Sequence, residues 1–452
     1  MASFLIRIAA VAMLAGLAAC GPTEKAETAN APFMPKSLTP EAVKAADEFL
    51  WLEDINGEKA MEWVTAENEK TKAILEADPR YPVFQQEALA ILTAQDRTPT
   101  PVFRAGGIHN FWQDQTNVHG VWRRTTLASY RSDNPKWETV LDLDALSKTE
   151  NANWIWKGTD CLEPAETRCL VNLSDGGKDA VVVREFDTNR RAFIEGGFNI
   201  PEGKHRISWL DQDTLLVATD FGAGSLTESG YPFIVKTLKR GQTLDQATEL
   251  YRGDAGDGGY GVSPAVMRDG SGKVLAVIVS RPLDTFRSET WEIVDGKPVK
   301  LNLPERATVQ GAFARYSDPK LVFTVEEAWS LDGRDVGPGA LMSVSTRLLR
   351  PRAEGQVVVA NADYSVFEPK ERQSIEEVAV MDDRIVATIY DNVKGRAVIF
   401  GDNGENGWPE AALASPENVA IHLGSTSRSS GRIFYTYEGF LTPSTLSLAD
   451  VR

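Results

Sequence analysis

A short apolar segment recurs seven times in the chain between Thr98 and Val451, and no other feature restricts the fold as strongly. Each copy is a run of apolar or β-branched residues followed by acidic, glycine or polar residues. The copies begin at His109, Leu170, Leu215, Val274, Leu321, Arg384 and Arg432. Successive copies start 45 to 63 residues apart, which suits a unit of about four strands. This period predicts an array of seven similar sheets.

A second strand pattern follows several of these copies. It is found at Phe233–Val235, Trp291–Val294, Ala397–Ile399 and Thr445–Leu448. Residues 98–452 are therefore predicted to be all-β, and seven such units predict a seven-bladed β-propeller. No unit carries the WD or kelch signature of known blades, so the period alone leaves an array of β-sandwiches as the alternative.

The segment before the strands, residues 39–97, shows helical patterns instead. Helices are predicted at about 40–50, 58–76 and 83–95, with turns at Asn56-Gly57 and Asp78-Pro79 between them. On the second of these helices, Met61, Trp63 and Val64 are expected to form an apolar side.

The first residues resemble an export signal rather than part of a fold. Arg7 is followed by an apolar run from Ile8 to Leu17, which is too short to span a bilayer. The run ends in Leu-Ala-Ala-Cys, similar to a bacterial lipobox, so residues 1–19 are predicted to be a lipoprotein signal peptide and Cys20 the lipidated residue. An ordinary secretory signal that happens to end in Cys is the alternative.

A lipidated Cys20 would place the protein in the bacterial cell envelope, anchored by lipid and facing the periplasm. Residues 20–38 are rich in Pro, Ala, Thr and Glu and are predicted to be a flexible tether. That compartment is oxidising, and Cys161 and Cys169 are the two remaining cysteines. They are predicted to form a disulfide around Pro164; two buried thiols in neighbouring strands are the alternative.

The charge of the chain excludes one class of partner. The sequence has 48 Lys and Arg residues against 64 Asp and Glu residues, for a net charge of −16. Such an acidic surface repels phosphate backbones, so no nucleic-acid partner is expected.

Two sequence motifs carry a resemblance to a known family. Trp51-Leu52-Glu53-Asp54 is followed, after a turn, by Trp63-Val64-x-Ala66-x-Asn68, and Gly439–Pro443 reads Gly-Phe-Leu-Thr-Pro. These motifs resemble the prolyl oligopeptidase family of serine peptidases over residues 40–452. In that family a seven-bladed propeller follows the helical segment, so the resemblance favours the propeller over the sandwich array. Glu48 stands where many members have Pro, which indicates a divergent branch.

The resemblance transfers no catalytic residue to this chain. Serine-peptidase chemistry needs a Gly-x-Ser-x-Gly elbow with Asp and His later in the chain, and the sequence contains no such pentapeptide. The nearest matches are Gly222–Ser225 and Gly424–Ser427. The four histidines, at positions 109, 119, 205 and 422, have no partner recognisable in the sequence. In the family the triad lies in a C-terminal α/β-hydrolase domain, which is absent from this chain, so the chain alone is expected to be inactive.

Other binding motifs are weak. Gly256–Gly261 matches Gly-x-Gly-x-x-Gly, but a strand pattern follows it where a phosphate-binding helix is required, so a loop is predicted. The sequence has no Cys-x-x-Cys, no His-Glu-x-x-His and no P-loop, and neither a cofactor nor a metal is expected. Trp154 and Trp156 are candidates for lining a face of the propeller.

Two functions remain at this stage. The resemblance implies the substrate-filtering propeller of a peptidase that cleaves short peptides after proline, whose hydrolase domain would pack on residues 39–97. The alternative is a stand-alone periplasmic propeller that acts as a binding or scaffold lipoprotein without enzymatic activity. The apolar helical segment favours the first, because without a cover it would be an exposed patch.

Overall fold

The computed structural model of the chain describes residues 47–54, 57–314, 318–352, 364–403 and 407–452. The chain divides into two compact units between Ala94 and Gln95. Residues 1–38, which include the predicted signal peptide, Cys20 and the tether, lie outside the described residues. None of the helices within the described ranges combines the length and apolar character needed to cross a membrane.

The first unit is helical. A 3₁₀ helix at Leu50–Glu53 precedes α1 (Glu58–Leu75) and α2 (Tyr81–Leu92). The Trp51 and Trp63 rings meet edge to face with centroids 6.3 Å apart. Of the predicted apolar side of α1, Met61 and Trp63 are nearly half exposed.

The helix predictions for this unit need two corrections. The first predicted helix, at about 40–50, lies mostly outside the described residues, and residues 48–49 form a turn rather than a helix. The third begins at Tyr81, not at 83, because Pro82 is accommodated in the first turn, where a missing N–H leaves no hydrogen bond unmade. It ends at Leu92, three residues earlier than predicted.

The second unit consists of antiparallel sheets, each made from one continuous stretch of chain. Blade 1 contains β1 (Val102–Arg104), β2 (Gly107–Trp112), β3 (Val121–Thr125) and β4 (Glu138–Asp142). Blade 2 contains β5 (Trp154–Cys161), β6 (Arg168–Asp175), β7 (Val181–Asp187), β8 (Ala192–Phe193) and β9 (Asn199–Gly203). Blade 3 contains β10 (Arg206–Asp211), β11 (Thr214–Ala218), β12 (Ile234–Lys239) and β13 (Thr248–Arg252). Blade 4 contains β14 (Ser263–Arg268), β15 (Val274–Pro282), β16 (Ser288–Val294) and β17 (Lys297–Lys300).

The remaining three blades follow the same plan. Blade 5 contains β18 (Ala307–Phe313), β19 (Lys320–Val325), β22 (Leu341–Ser345) and β23 (Ser365–Phe367), with a separate hairpin of β20 (Trp329–Leu331) and β21 (Arg334–Val336) inserted after β19. Blade 6 contains β24 (Gln373–Val380), β25 (Arg384–Asp391), β26 (Lys394–Gly401) and β27 (Glu410–Leu413). Blade 7 contains β28 (Ala420–Ser427), β29 (Arg432–Gly439) and β30 (Thr442–Asp450). Short helices join some strands: α3 (Leu127–Tyr130), α4 (Leu143–Glu150), α5 (Thr346–Leu349) and a 3₁₀ turn at Leu244–Gln246.

The seven sheets form a seven-bladed β-propeller, so the prediction is confirmed and the sandwich alternative is wrong. The seven apolar segments found in the sequence are the second strands of the seven blades: β2, β6, β11, β15, β19, β25 and β29. First strands of successive blades contact each other from blade 3 to blade 7, and β1 contacts β28. The first strand of each blade is therefore the innermost, and the ring is closed.

The core of this unit consists of apolar clusters between neighbouring blades. The second strands supply residues to both sides, because successive side chains of a strand point to opposite faces. In β11, Leu215 and Val217 pack toward blade 2, while Leu216 and Ala218 pack toward blade 4. Burial on both faces explains why these strands are continuous apolar runs.

The interface between blades 7 and 1, here called the closing interface, is built differently. Six buried clusters join blades 1 to 7 in sequence, whereas this interface is held by a ring stack between Phe103 and Phe434, whose centroids are 4.7 Å apart. The Tyr130 ring packs on Phe434 edge to face at 5.8 Å. The Phe103 N–H donates to Ser425 Oγ at 2.9 Å.

Candidate functional site

The two faces of the propeller differ in the connections that they carry. Because the innermost strands run in the same direction, the turns that join the first and second strands of the blades all lie at one face, here called the lower face. The innermost strands begin at the opposite, upper face. The channel enclosed by the seven innermost strands runs between the two faces.

At the lower face, the turns between the first and second strands of blades 4, 6 and 7 meet over the axis of the ring. The Arg428 guanidinium of blade 7 donates to the Arg268 carbonyl of blade 4 at 2.8 Å and to the Ala312 carbonyl of blade 5 at 3.2 Å. The Gly270 N–H of blade 4 donates to both carboxylate oxygens of Asp382 in blade 6, at 2.9 and 3.0 Å. Blades 4 and 7 are nearly opposite in the ring, so these bonds, here called the axial contacts, cross the channel.

Glycine allows this close approach. A Cβ at Gly270 would overlap the carboxylate of Asp382, and a Cβ at Gly272 would overlap the ring of Pro164 from blade 2. Gly272 also has a φ of +88°, which other residues rarely adopt. The lower end of the channel is thus covered by turns from four blades.

The upper face carries a cavity of about 280 Å³ that spans blades 3, 4 and 5. Its wall includes the first residues of two innermost strands, Arg206 of β10 and Ala307 of β18. The loop before β14 contributes Tyr260, and the turn between β15 and β16 contributes Phe286 and Arg287. The cavity therefore lies beside the upper end of the channel.

Hydrogen bonds fix the two loops that bound this cavity. One carboxylate oxygen of Asp284 accepts from the N–H groups of Phe286 and Arg287, each at 2.8 Å, and the other accepts from the Arg287 side chain at 2.7 Å. These bonds and the guanidinium lower the pKa of Asp284. The Gly258 N–H donates to the Leu283 carbonyl at 3.0 Å and joins the two loops. The cavity is therefore preformed.

The four histidines are dispersed among different blades. His109 on β2 is buried, and burial with the nearby Arg104 and Arg124 charges lowers its pKa to about 3. His119 and His205 bond backbone carbonyls through their rings, and His205 also bonds Thr219 Oγ1 at 2.7 Å. His422 on β28 lies 3.0 Å from Glu377 of blade 6. The structure brings no two of them together.

The serines in the two nearest matches to the Gly-x-Ser-x-Gly elbow are engaged in structural hydrogen bonds. Ser225 Oγ donates to the Gly222 carbonyl at 2.6 Å and accepts from the Phe221 N–H at 2.8 Å, as in an ordinary turn. Ser425 Oγ accepts the closing bond from Phe103, and Ser427 Oγ lies 3.4 Å from Ser429 Oγ. None of these hydroxyls bonds a histidine.

The other residues singled out in the sequence have structural positions. Cys161 and Cys169 face each other across β5 and β6, with their Sγ atoms 1.93 Å apart. The Gly256–Gly261 segment is the loop between β13 and β14, and a strand follows it as predicted. Trp156 stacks on Phe111 with centroids 4.9 Å apart, in the core between blades 1 and 2. Within the described part of the chain, no group of three or more His, Cys, Asp or Glu side chains could hold a metal.

The sequence reasoning missed the cavity on the upper face. A usable signal was present, because Tyr260 lies between glycines and Phe286 lies in a polar turn. An aromatic residue in such a loop has no strand face on which to be buried. Both rings are largely exposed.

Comparisons with known proteins agree with this architecture. The family profile of the prolyl oligopeptidase N-terminal β-propeller domain matches residues 27–452. An uncharacterized peptidase of Sinorhizobium fredii is 42% identical over 413 residues, which cover 90% of this chain and 55% of that protein. An uncharacterized peptidase of Rickettsia prowazekii is 27% identical over 422 residues, covering 89% of this chain and 56% of that protein. This chain thus spans about half the length of the curated relatives that it matches.

Solved structures give the same result. A post-proline cleaving enzyme from Rickettsia typhi superposes with a TM-score of 0.79 at 25% identity, covering 92% of this chain and 60% of that one. Oligopeptidase B from Leishmania major superposes with a TM-score of 0.65 at 11% identity, covering 90% of this chain and 56% of that one, and shows the likeness of fold alone. Together with the seven-bladed ring, the profile match over residues 27–452 establishes that this chain belongs to the prolyl oligopeptidase family and corresponds to its N-terminal β-propeller domain.

Proposed function

We propose that this chain is the substrate-filtering propeller of a serine peptidase that cleaves short peptides after proline. The bond chemistry is assigned to a Ser-Asp-His triad in an α/β-hydrolase domain outside this chain. The propeller admits extended peptides and excludes folded proteins. Its own part is to position the substrate, because the chain contains no Gly-x-Ser-x-Gly elbow.

The closure of the lower face supports this proposal most directly. The axial contacts between Arg428, Asp382 and Gly270 cover the lower end of the channel, and we take the upper end as the side from which a peptide enters. A peptide held there is shielded from the lower side. Likeness to a post-proline cleaving enzyme at 25% identity, and to longer relatives named as peptidases, supports the substrate class.

The apolar surface of the helical unit supports a second domain. Exposed fractions reach 73% for Ile74 and 59% for Phe84, and Ile91 and Leu92 are similarly open. Large side chains exposed in this number on two helices are typical of a surface that another body covers. We assign this surface to the hydrolase domain.

The intact mass of the native protein, purified from the membrane fraction, tests the proposal first. A mass well above the 49.6 kDa of this chain, with labelling by a fluorophosphonate probe, is the expected result. The labelled protein should then cleave an octapeptide with a central proline and leave a folded protein intact. The chain of residues 1–452 expressed alone is the matched control and should not be labelled.

A mass near that of residues 20–452 plus lipid, without labelling, would overturn the peptidase assignment. The stand-alone binding or scaffold lipoprotein would then be the better hypothesis.

The same mass spectrum tests the lipid anchor that we propose at Cys20. Cys20→Ser should abolish incorporation of labelled palmitate and release the protein from the membrane fraction into the periplasmic extract, and retention of the label in this variant would exclude Cys20 as the site.

A further inference from the structure

The upper-face cavity is more basic than the rest of the molecule. Arg206, Arg287 and Arg306 line it together with the acids Asp284 and Glu326. Three guanidinium groups and two carboxylates leave one net positive charge, although the chain as a whole carries −16. Glu305 lies outside the lining and pairs with Arg287, so what the cavity offers to an anion is the donors of the arginines that are not fully paired.

One of these arginines has no carboxylate partner among the described residues. The Arg206 guanidinium is exposed, and its recorded bond is to the His205 carbonyl at 3.1 Å. Arg306 is also exposed, and its ion pair with Glu326 is long, at 3.5 Å. Arg287, in contrast, is paired with Asp284 at 2.7 Å and with Glu305 at 3.2 Å. The donors open to a ligand are therefore those of Arg206 and Arg306.

Two aromatic rings stand beside these donors. The exposed fraction is 76% for Phe286 and 60% for Tyr260. The Tyr260 ring packs edge to face on Tyr231, with centroids 5.6 Å apart. Exposed rings on loops held by hydrogen bonds lose little conformational freedom on binding, so they are suited to contact an apolar side chain.

We propose that this cavity binds a carboxylate of the peptide substrate through Arg206 and Arg306, while the adjoining side chain of the peptide packs on Phe286 and Tyr260. A guanidinium fork matches a carboxylate with two parallel hydrogen bonds. The carboxylate comes from the C-terminus of the peptide or from an acidic side chain. This inference rests on the proposed function, since it assigns a role to a peptide at the upper face.

Peptide binding to the chain, measured by anisotropy with an uncharged dye on the peptide N-terminus, tests the inference. The probe is an octapeptide with one central proline and a C-terminal phenylalanine, made as the free acid, as the amide, and as the amide with glutamate in the penultimate position. We expect the free acid to bind about tenfold more tightly than the amide. If glutamate restores the affinity of the amide, the carboxylate can also come from a side chain.

The variant Arg206→Ala should weaken binding of the free acid about tenfold and leave binding of the plain amide unchanged, so the ratio of the two affinities falls toward one. Arg131→Ala is the matched control. Arg131 is exposed and lies in the connection between β3 and β4, at the lower face. This variant should keep the tenfold ratio.

The outcomes separate this inference from the proposed function. Equal binding of the acid and the amide, with no effect of Arg206→Ala, overturns the carboxylate site and leaves peptide binding by the propeller intact. Failure of every peptide to bind overturns both. The melting temperature of Arg206→Ala, measured by circular dichroism, should equal that of the wild type. A loss of binding is then not a loss of folding.

Discussion

His109 is a titratable side chain in a site that disfavours its charge. It is 2% exposed, its ring lies 5.4 Å from that of Trp122, and its Nδ1 has no hydrogen-bond partner among the described residues. Burial, with the positive charges of Arg104 and Arg124, lowers its pKa from 6.5 to about 3. Below pH 6.5 the unfolded chain takes up a proton at this residue that the folded chain does not.

Stability should therefore fall as the pH drops from 6.5 toward 3, by up to about 1.4 kcal/mol per pH unit from this residue. His109→Phe should remove that part of the pH dependence and preserve stability at pH 7.5, because Nδ1 makes no hydrogen bond to any described residue that the change would break. Urea denaturation at pH 7.5, 6 and 5 measures both. An identical pH slope in the variant and the wild type would contradict the lowered pKa.

Glu185 on β7 is a buried charge that depends on its partners. Its side chain is fully buried, and it accepts from Arg240 at 2.7 and 3.0 Å, from the Phe198 N–H at 2.9 Å and from Arg168 at 3.4 Å. Arg240 belongs to blade 3, so the pair joins two blades. A buried carboxylate without its partner costs far more than a surface ion pair contributes.

Arg240→Met should lower the free energy of unfolding by about 3–5 kcal/mol, because the Glu185 charge loses its main partner. The double variant Glu185→Met, Arg240→Met should recover most of this loss, since it removes both charges. Arg190→Ala is the control: its pair with Asp187 is long at 3.9 Å and the Arg190 side chain is 84% exposed, so the change should cost less than about 1 kcal/mol. If Arg240→Met were as mild as the control, the assigned role of the pair would be wrong.

At the scale of the element, the hairpin of β5 and β6 carries the cysteine pair and reaches two other blades. Its turn contains Glu166, which accepts from the Ala105 N–H of blade 1 at 2.8 Å, and Pro164, which lies against Gly272 of blade 4. A bond between Cys161 and Cys169 would close this turn into a small loop and restrict the unfolded chain.

We predict that the two cysteines are oxidised in the native protein. Iodoacetamide should then modify neither of them in denaturant unless a reductant is added first. Replacing both with Ser should lower the free energy of unfolding by about 2–3 kcal/mol. This is the free-energy contribution of the conformational entropy that a loop of this length removes from the unfolded chain. Modification of both residues without reductant would show instead that they are buried thiols.

The seven second strands could be predicted from the sequence, and the reason is their burial on both faces. Strands such as β25 place Ile385 and Ala387 against blade 5 and Val386 against blade 7, so the whole run is apolar. Edge strands such as β27, of which three residues are exposed, gave no such signal. The hairpin of β20 and β21 was missed for a similar reason, since each strand has only three residues.

The site was less predictable than the fold. The axial contacts join residues 112 to 160 positions apart, and nothing near Gly270 or Arg428 in the sequence points to the other. The cavity brings together Arg206, Phe286 and Arg306 from three blades. Such groupings depend on the order of blades around the ring, which a single sequence read for local pattern does not contain.

At the scale of the whole molecule, the axial contacts should control the mobility of the lower face. The Gly270 N–H donates to Asp382 across the ring, so Asp382→Ala should raise the hydrogen-exchange rate of the turn at residues 269–273 at least about tenfold. Exchange measured by mass spectrometry reports this turn directly. Asp383→Ala is the control, because within the described ranges the Asp383 side chain pairs only with its sequence neighbour Arg384, at 3.8 Å. Unchanged exchange in both variants would contradict the crossing of the channel by these bonds.

The closing interface also has a consequence for how the chain acquires its shape. Within a blade, strands that pair are neighbours in sequence, so each blade can form as soon as its own residues are available. The bond between Phe103 and Ser425, in contrast, joins positions 322 residues apart. The ring is completed only when blade 7 has been made. Until then, the apolar face of blade 1 and that of the blade made last stay exposed to solvent. A polypeptide delayed at that stage is prone to aggregate through these two faces.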